Sequence, residues 1–149
     1  MHAVRDRLLG SFDLSDRVAI VTGGSRGIGR AVATGFAALG ASVVVASRKA
    51  DACGAAADEI RDAGGKALAV PTHMGDTGQI TDLVAQTVDQ FGGVDIVVNN
   101  AANPLAQPVG SMTTEAMAKS WETNFRGPVW LVQEALPHLR ESGRGAIVN

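Results

Sequence analysis

The residues best placed to do chemistry stand in one short run. Thr22 to Gly29 reads TGGSRGIG, with four glycines in eight residues, directly after the apolar stretch VAIV. Where a strand gives way to a helix, the first N–H groups of the helix lack partners and carry partial positive charge. A phosphate rests well on such an end. Gly23 and Gly24 permit a tight turn. Gly27 lets the backbone approach a pyrophosphate, and Gly29 lets the helix pack closely on the strand. Ser25 adds a hydroxyl donor and Arg26 a charge, and Ile28 lies inside the same turn.

A second position follows about 20 residues later, where dinucleotide folds read the adenosine ribose. An acid there accepts a hydrogen bond from the 2′-hydroxyl and selects NAD, whereas it would repel the 2′-phosphate of NADP. Here the run is Ala46-Ser47-Arg48-Lys49, without an acid. Arg48 can pair with a phosphate in a bidentate way, and Arg26 can approach the same phosphate. The predicted cofactor is therefore NADP(H) rather than NAD(H). Asp51 lies too far along the following helix to read the ribose.

Other chemistries find little support. The single cysteine, Cys53, excludes an internal disulfide and a zinc-binding cysteine cluster, and it reads as a small helix residue. His2, His73 and His138 are far apart, so no metal site is expected. A net charge of -2 offers no basic surface for nucleic acid. The N-terminal run lacks a signal-type apolar core, and no stretch approaches the length of a membrane span. A cytoplasmic protein without nucleic-acid or membrane partners is expected.

The elements that must position these residues alternate along the 149-residue chain. Strands are predicted at Arg17–Thr22, Ala41–Ala46, Lys66–Val70, Val94–Val98 and Gly145–Asn149. These runs are apolar without alternation, and the second is rich in β-branched valine. Helices are predicted over Gly27–Leu39, Lys49–Ala63, from a cap at Asp76 to Phe91, and from Thr113 or Thr114 to about Glu141. Pro128 marks an irregularity in the last of these. Gly40 supplies a left-handed cap, and Gly64-Gly65 and Gly92-Gly93 end their helices. The pattern βαβαβαβαβ predicts an α/β fold with a doubly wound parallel sheet, a Rossmann fold, in one domain over 13–149 behind an extension at 1–12.

The glycine spacing, TGxxxGxG, resembles that of the short-chain dehydrogenase/reductase family. Asn99-Asn100-Ala101-Ala102 resembles its NNAG motif, and TNFRG supplies an Asn at Asn124 in the long helix. The resemblance covers the chain from about Asp13. NNAANP, with SRK and HMGD, looks most like the NADP-preferring carbonyl and retinol reductase branch. The resemblance implies hydride transfer between NADP(H) and an alcohol/carbonyl pair, with Asn124 in a proton relay. It sets Asn100 and Ala101 against the ribose and nicotinamide side, while Asn99 ties the fourth strand to neighbouring backbone. His73 and Met74 fall where the family places an acid near the adenine amine. An imidazole can bond to or stack on adenine, or His73 is a polar surface residue. Ala102 replaces the usual glycine.

The family's Ser, Tyr and Lys would follow the fifth strand, beyond Asn149. The chain contains no Tyr. It is therefore expected to be the N-terminal portion of such an enzyme, truncated after about the fifth strand and inactive alone. A non-catalytic dinucleotide-binding module or an inactive truncated product are the alternatives. The fifth strand would form an apolar edge and the long helix would expose part of its apolar face, giving marginal stability. The family habit implies a homo-oligomeric parent. The loop Asn103 to Ser111 would wall the substrate pocket without singling out a substrate.

Overall fold

A computed structural model describes residues 10–149. Of the expected extension at 1–12, residues 1–9 lie outside the described residues. The strands are β1 (Val18–Thr22), β2 (Ser42–Ser47), β3 (Lys66–Pro71), β4 (Ile96–Val98) and β5 (Ala146–Val148). The helices are α1 (Gly27–Ala38), α2 (Ala50–Asp62), α3 (Thr77–Phe91), α4 (Thr114–Trp121) and α5 (Gly127–Glu141), with a π turn at Glu122–Arg126. All strands are parallel, in the order β3-β2-β1-β4-β5. Ile20 stands opposite Val44 on one side and Val97 on the other.

β1, β2 and β4 are buried on both faces, which is why their sequences read as continuous apolar runs, while β3 and β5 lie at the sheet edges and are more exposed. Successive side chains point to opposite faces. Ala19, Val21, Val43 and Val45 meet α1 and α2, while Ile20, Val44, Ala46 and Val97 meet α3 and α5. The two helix layers differ in grain. The first is built from Ala33, Ala37, Cys53, Ala56, Ala57 and Ile60. The second is built from Ile80, Leu83, Val84, Leu131, Ala135 and Leu139.

Local signals work as their chemistry predicts. Asp76 caps α3 by accepting from the Gln79 N–H at 3.1 Å, and Gly92 ends that helix with φ 86°. The turn before β1 is tied by Asp13, whose carboxylate accepts from the Ser15 hydroxyl at 2.6 Å and the Ser15 N–H at 2.8 Å. Both bonds favour the ionised form and hold the Asp13 carboxyl below the usual aspartate range. At the opposite edge of the sheet from the glycine turn, buried Asp95 accepts from the Val18 N–H at 2.8 Å. Its other oxygen lies 3.4 Å from Arg144 and 4.0 Å from Arg17. This carboxylate joins the starts of β1, β4 and β5.

The long C-terminal helix carries its expected irregularity beside Pro128. The break lies ahead of Pro128, at the π turn beginning with Glu122. Pro128 follows directly in the continuous helical run, and the carbonyl that a regular turn would pair with its absent N–H belongs to Asn124, inside the π turn. β4 begins later than predicted, because the ladder starts with the Ala19–Ile96 pair. Along α4, the π turn and α5, Met117, Trp121, Phe125 and Val129 are exposed. The Trp121 and Phe125 rings stack with centroids 4.3 Å apart. All three residues of β5 are exposed at the sheet edge.

Candidate functional site

The glycine turn leaves β1 at its carboxyl end and enters α1 directly. Gly23 has φ 66°, a conformation that L side chains rarely adopt, and a Cβ there would lie 2.7 Å from the Asn100 side-chain nitrogen. At Gly29 a Cβ would stand 2.4 Å from the Gly23 carbonyl oxygen. The first turn of α1 therefore packs directly on the turn that precedes it. No side chain caps α1 and no acid stands in its first turn, so its leading N–H groups remain available to an anion.

The run after β4 locks this turn in place. The Thr22 hydroxyl donates to the Val98 carbonyl at 3.1 Å and accepts from the Asn100 and Ala101 N–H groups, each at 3.0 Å. The Asn100 side-chain amide donates to the Thr22 carbonyl at 2.9 Å. Asn100 thus holds the shape of the glycine turn. Asn99 reaches instead toward β5: its side-chain amide donates to Asn149 Oδ1 at 2.8 Å and its N–H to the Val148 carbonyl at 2.8 Å.

A cleft of about 680 Å³ opens along the carboxyl ends of β1 to β4, within the size range of cofactor sites. Gly23, Ser25, Arg26, Gly27, Ile28 and Gly29 line it from the first turn, and Ser47 and Arg48 from the end of β2. His73 and Met74 line it after β3, and Asn100 and Ala101 after β4. The structure thus brings every sequence-predicted cofactor residue to one cavity. Lys49, Thr72, Asn103 and Thr123 line it too, and sequence reasoning missed them. Lys49 could have been added as a cation beside Arg48. Thr123 arrives through the π turn, for which the sequence offers no clear signal.

The electrostatics of the lining are one-sided. Arg26, Arg48 and Lys49 contribute cations, and among the described residues no Asp or Glu lines the cleft. The Ser25 and Ser47 hydroxyls lie 2.8 Å apart between the two arginine-bearing turns, and Cys53 lies 3.1 Å behind Ser47. This group suits a phosphate monoester: hydroxyl donors at its base and guanidinium groups at its rim. A carboxylate reader of a ribose 2′-hydroxyl is absent from the lining.

Asn124 does not line the cleft but stands behind its wall. Its Oδ1 accepts from the Asn103 N–H at 2.7 Å, and its amide donates to the Asn103 carbonyl at 3.0 Å and to Ser120 Oγ at 3.1 Å. His73 turns toward its own loop, with Nδ1 accepting from the Gly75 N–H at 3.0 Å. Among the described residues no cluster of His, Cys, Asp and Glu could hold a metal ion, and no helix is long and apolar enough to cross a membrane. A second hollow of about 820 Å³, bordered by Ser15, Gly40, Arg61 and Phe91, lies at the opposite edge of the sheet. It lacks a convergent donor set, because Arg61 already bonds Ala67 and Asp58.

Comparison with known proteins agrees with this geometry. The family model described as short chain dehydrogenase matches residues 17–149. An uncharacterized oxidoreductase of Mycobacterium tuberculosis is 37% identical over 143 residues, covering 95% of this chain and 54% of the relative. The crystal structure of a short-chain type dehydrogenase/reductase from Mycobacterium marinum superposes with TM-score 0.87 at 37% identity, over 93% of this chain and 57% of that one. A metagenomic short-chain oxidoreductase solved in complex with NADP gives TM-score 0.85 at 32% identity, over 91% of this chain and 62% of that one. The chain spans about half the length of the curated relatives it matches.

Proposed function

The chain belongs to the short-chain dehydrogenase family, and from that premise we propose that it forms the NADP(H)-binding part of an oxidoreductase acting on an alcohol/carbonyl pair. The observation that carries the reading is the lining of the cleft, with three cations, two paired hydroxyls and no carboxylate. The bare N-terminus of α1 takes the pyrophosphate. Arg26, Arg48, Ser25 and Ser47 take the 2′-phosphate, while His73 and Met74 border the adenine. Asn100 and Ala101 border the ribose and nicotinamide side, with Asn100 keeping the glycine turn in shape.

When bound, the cofactor supplies the hydride exchanged with the carbonyl carbon. Such a reaction also needs a group that gives the developing alkoxide its proton. The family's tyrosine has no counterpart here, since the chain contains no Tyr. Asn124 is then a positioning group, holding the loop at Asn103 beside the cleft. The chain by itself binds the dinucleotide and does not turn over. A non-catalytic dinucleotide-binding module shares this binding behaviour.

Titration of the purified chain with NADPH and NADH tests the reading. NADPH is expected to bind about ten- to a hundredfold more tightly, the range of one or two charge-assisted hydrogen bonds. Arg48→Ala should remove most of that preference and leave NADH binding unchanged. Tighter binding of NADH by the unaltered chain would sink the proposal. Oxidation of NADPH on any ketone by the pure chain would contradict its inactivity.

A further inference from the structure

The π turn lies between α4 and α5, and the Gly127 N–H closes it on the Glu122 carbonyl. Such turns hold one residue more than a regular helical turn, and they often occur at functional sites. This one touches two walls of the cleft. Asn124 grips Asn103 through both its N–H and its carbonyl, on the wall that follows β4. Arg126 donates to the Gly75 carbonyl at 2.7 Å, on the wall that follows β3. Glu122 stands 3.6 Å from the same guanidinium. Beside it, Gly127 meets Met74 so closely that a Cβ would lie 2.1 Å from the Met74 carbonyl oxygen.

β3 and β4 are not neighbours, because β2 and β1 stand between them. The ladder fixes the distance between their outgoing loops only through successive pairings. The π turn spans that interval directly, and its residue Thr123 lines the cleft it braces. A helix without the extra residue would rotate the following side chains by about 100°. Asn124 and Arg126 could not then reach their two walls together.

Resting on the reading that the cleft takes a dinucleotide with its adenine beside His73 and Met74, we infer that Arg126 is a positioning residue for the adenine end. The Glu122–Arg126 turn, pinned to Gly75 by Arg126 and to Asn103 by Asn124, sets the width of the cleft. Arg126 itself does not line the cleft.

Arg126→Ala and Arg126→Met test this in the full chain, the second keeping the aliphatic stem while removing the donors. Binding of 2′,5′-ADP, which carries the adenine half alone, should weaken about three- to tenfold in both, the range of one lost hydrogen bond. The loss should persist at high salt, where a mere attraction between Arg126 and the anion is screened. Amide exchange should quicken at Gly75 and Asp76, and also at Asn103, which Arg126 does not touch. Unchanged affinity, a loss that disappears at high salt, or quickened exchange confined to 73–76 would each overturn the inference. An unaltered chain that fails to bind 2′,5′-ADP at all would sink the dinucleotide reading instead.

Discussion

The two helix layers on either side of the sheet were built to different ends. The α1/α2 layer packs alanines and a cysteine against β1 and β2. Small side chains bury little apolar area each, but they let α1 lie close enough for its first turn to touch the glycine turn. The α3/α5 layer packs Ile80, Leu83, Leu131 and Leu139 against the other face. It contributes more area per residue and reaches the cleft lining at Met74 and Ala101. The glycine turn thus rests on the fine-grained layer and most of the cohesion on the coarse one, although both share the same strands.

That contrast can be broken most forcefully from the cohesive side. Leu83 is fully buried, so Leu83→Ala should lower unfolding stability by about 2–5 kcal/mol through lost burial and a cavity. Chemical denaturation measures this, and the fraction still folded should bind NADPH with unchanged affinity. A binding defect in that folded fraction would blur the division between the layers.

Gly29→Ala makes the complementary change. Its methyl group would collide with the Gly23 carbonyl and the Asn100 amide. Relief of that overlap should cost about 1–3 kcal/mol of stability. Here affinity suffers as well, because the shift moves the N-terminus of α1 away from the phosphate. Calorimetric titration should show NADPH and NADH weakened alike, since the pyrophosphate is common to both. A variant that lost stability and kept its affinity would show that the site does not depend on the close approach.

The smallest expected effect lies at the border of the α1/α2 layer. Leu14, beside Asp13, packs against that layer. The Asp13 carboxyl sits below its ordinary value in the folded chain, so its contribution is present above about pH 4, the unfolded value. It is lost as the pH falls through the lower folded value. Thermal melts of the chain and of Asp13→Asn should therefore differ at pH 5 and converge toward pH 3. A difference that grows on acidification would reverse the assigned sign.

The residues differed in how openly they declared these roles. Strands β1 to β3 and helices α1 to α3 were legible because local signals agreed with their environment. The apolar runs of β1 and β2 were buried on both faces, β3 lay half-buried at the sheet edge, and Gly40, Asp76 and Gly92 ended or capped helices where expected. The cleft lining was legible because it comes from turns at fixed offsets after each strand. The π turn was not. Pro128 marked the place of an irregularity but not its form, and the side chains of the turn answer to contacts at Asn103, Met74 and Gly75. Those partners lie far away in sequence, so no local pattern announces them. Asp95 was missed for the same reason, since its partners Val18 and Arg144 belong to other strands or their approaches.

The fine grain of the α1/α2 layer also limits how this protein can change. At Ala33, Ala57 and Cys53, each without exposed surface, the usable alphabet shrinks to the few residues no larger than those present. Any larger replacement must push α1 or α2 away from the sheet. A library of substitutions at these three positions would therefore lose dinucleotide binding before it lost the fold.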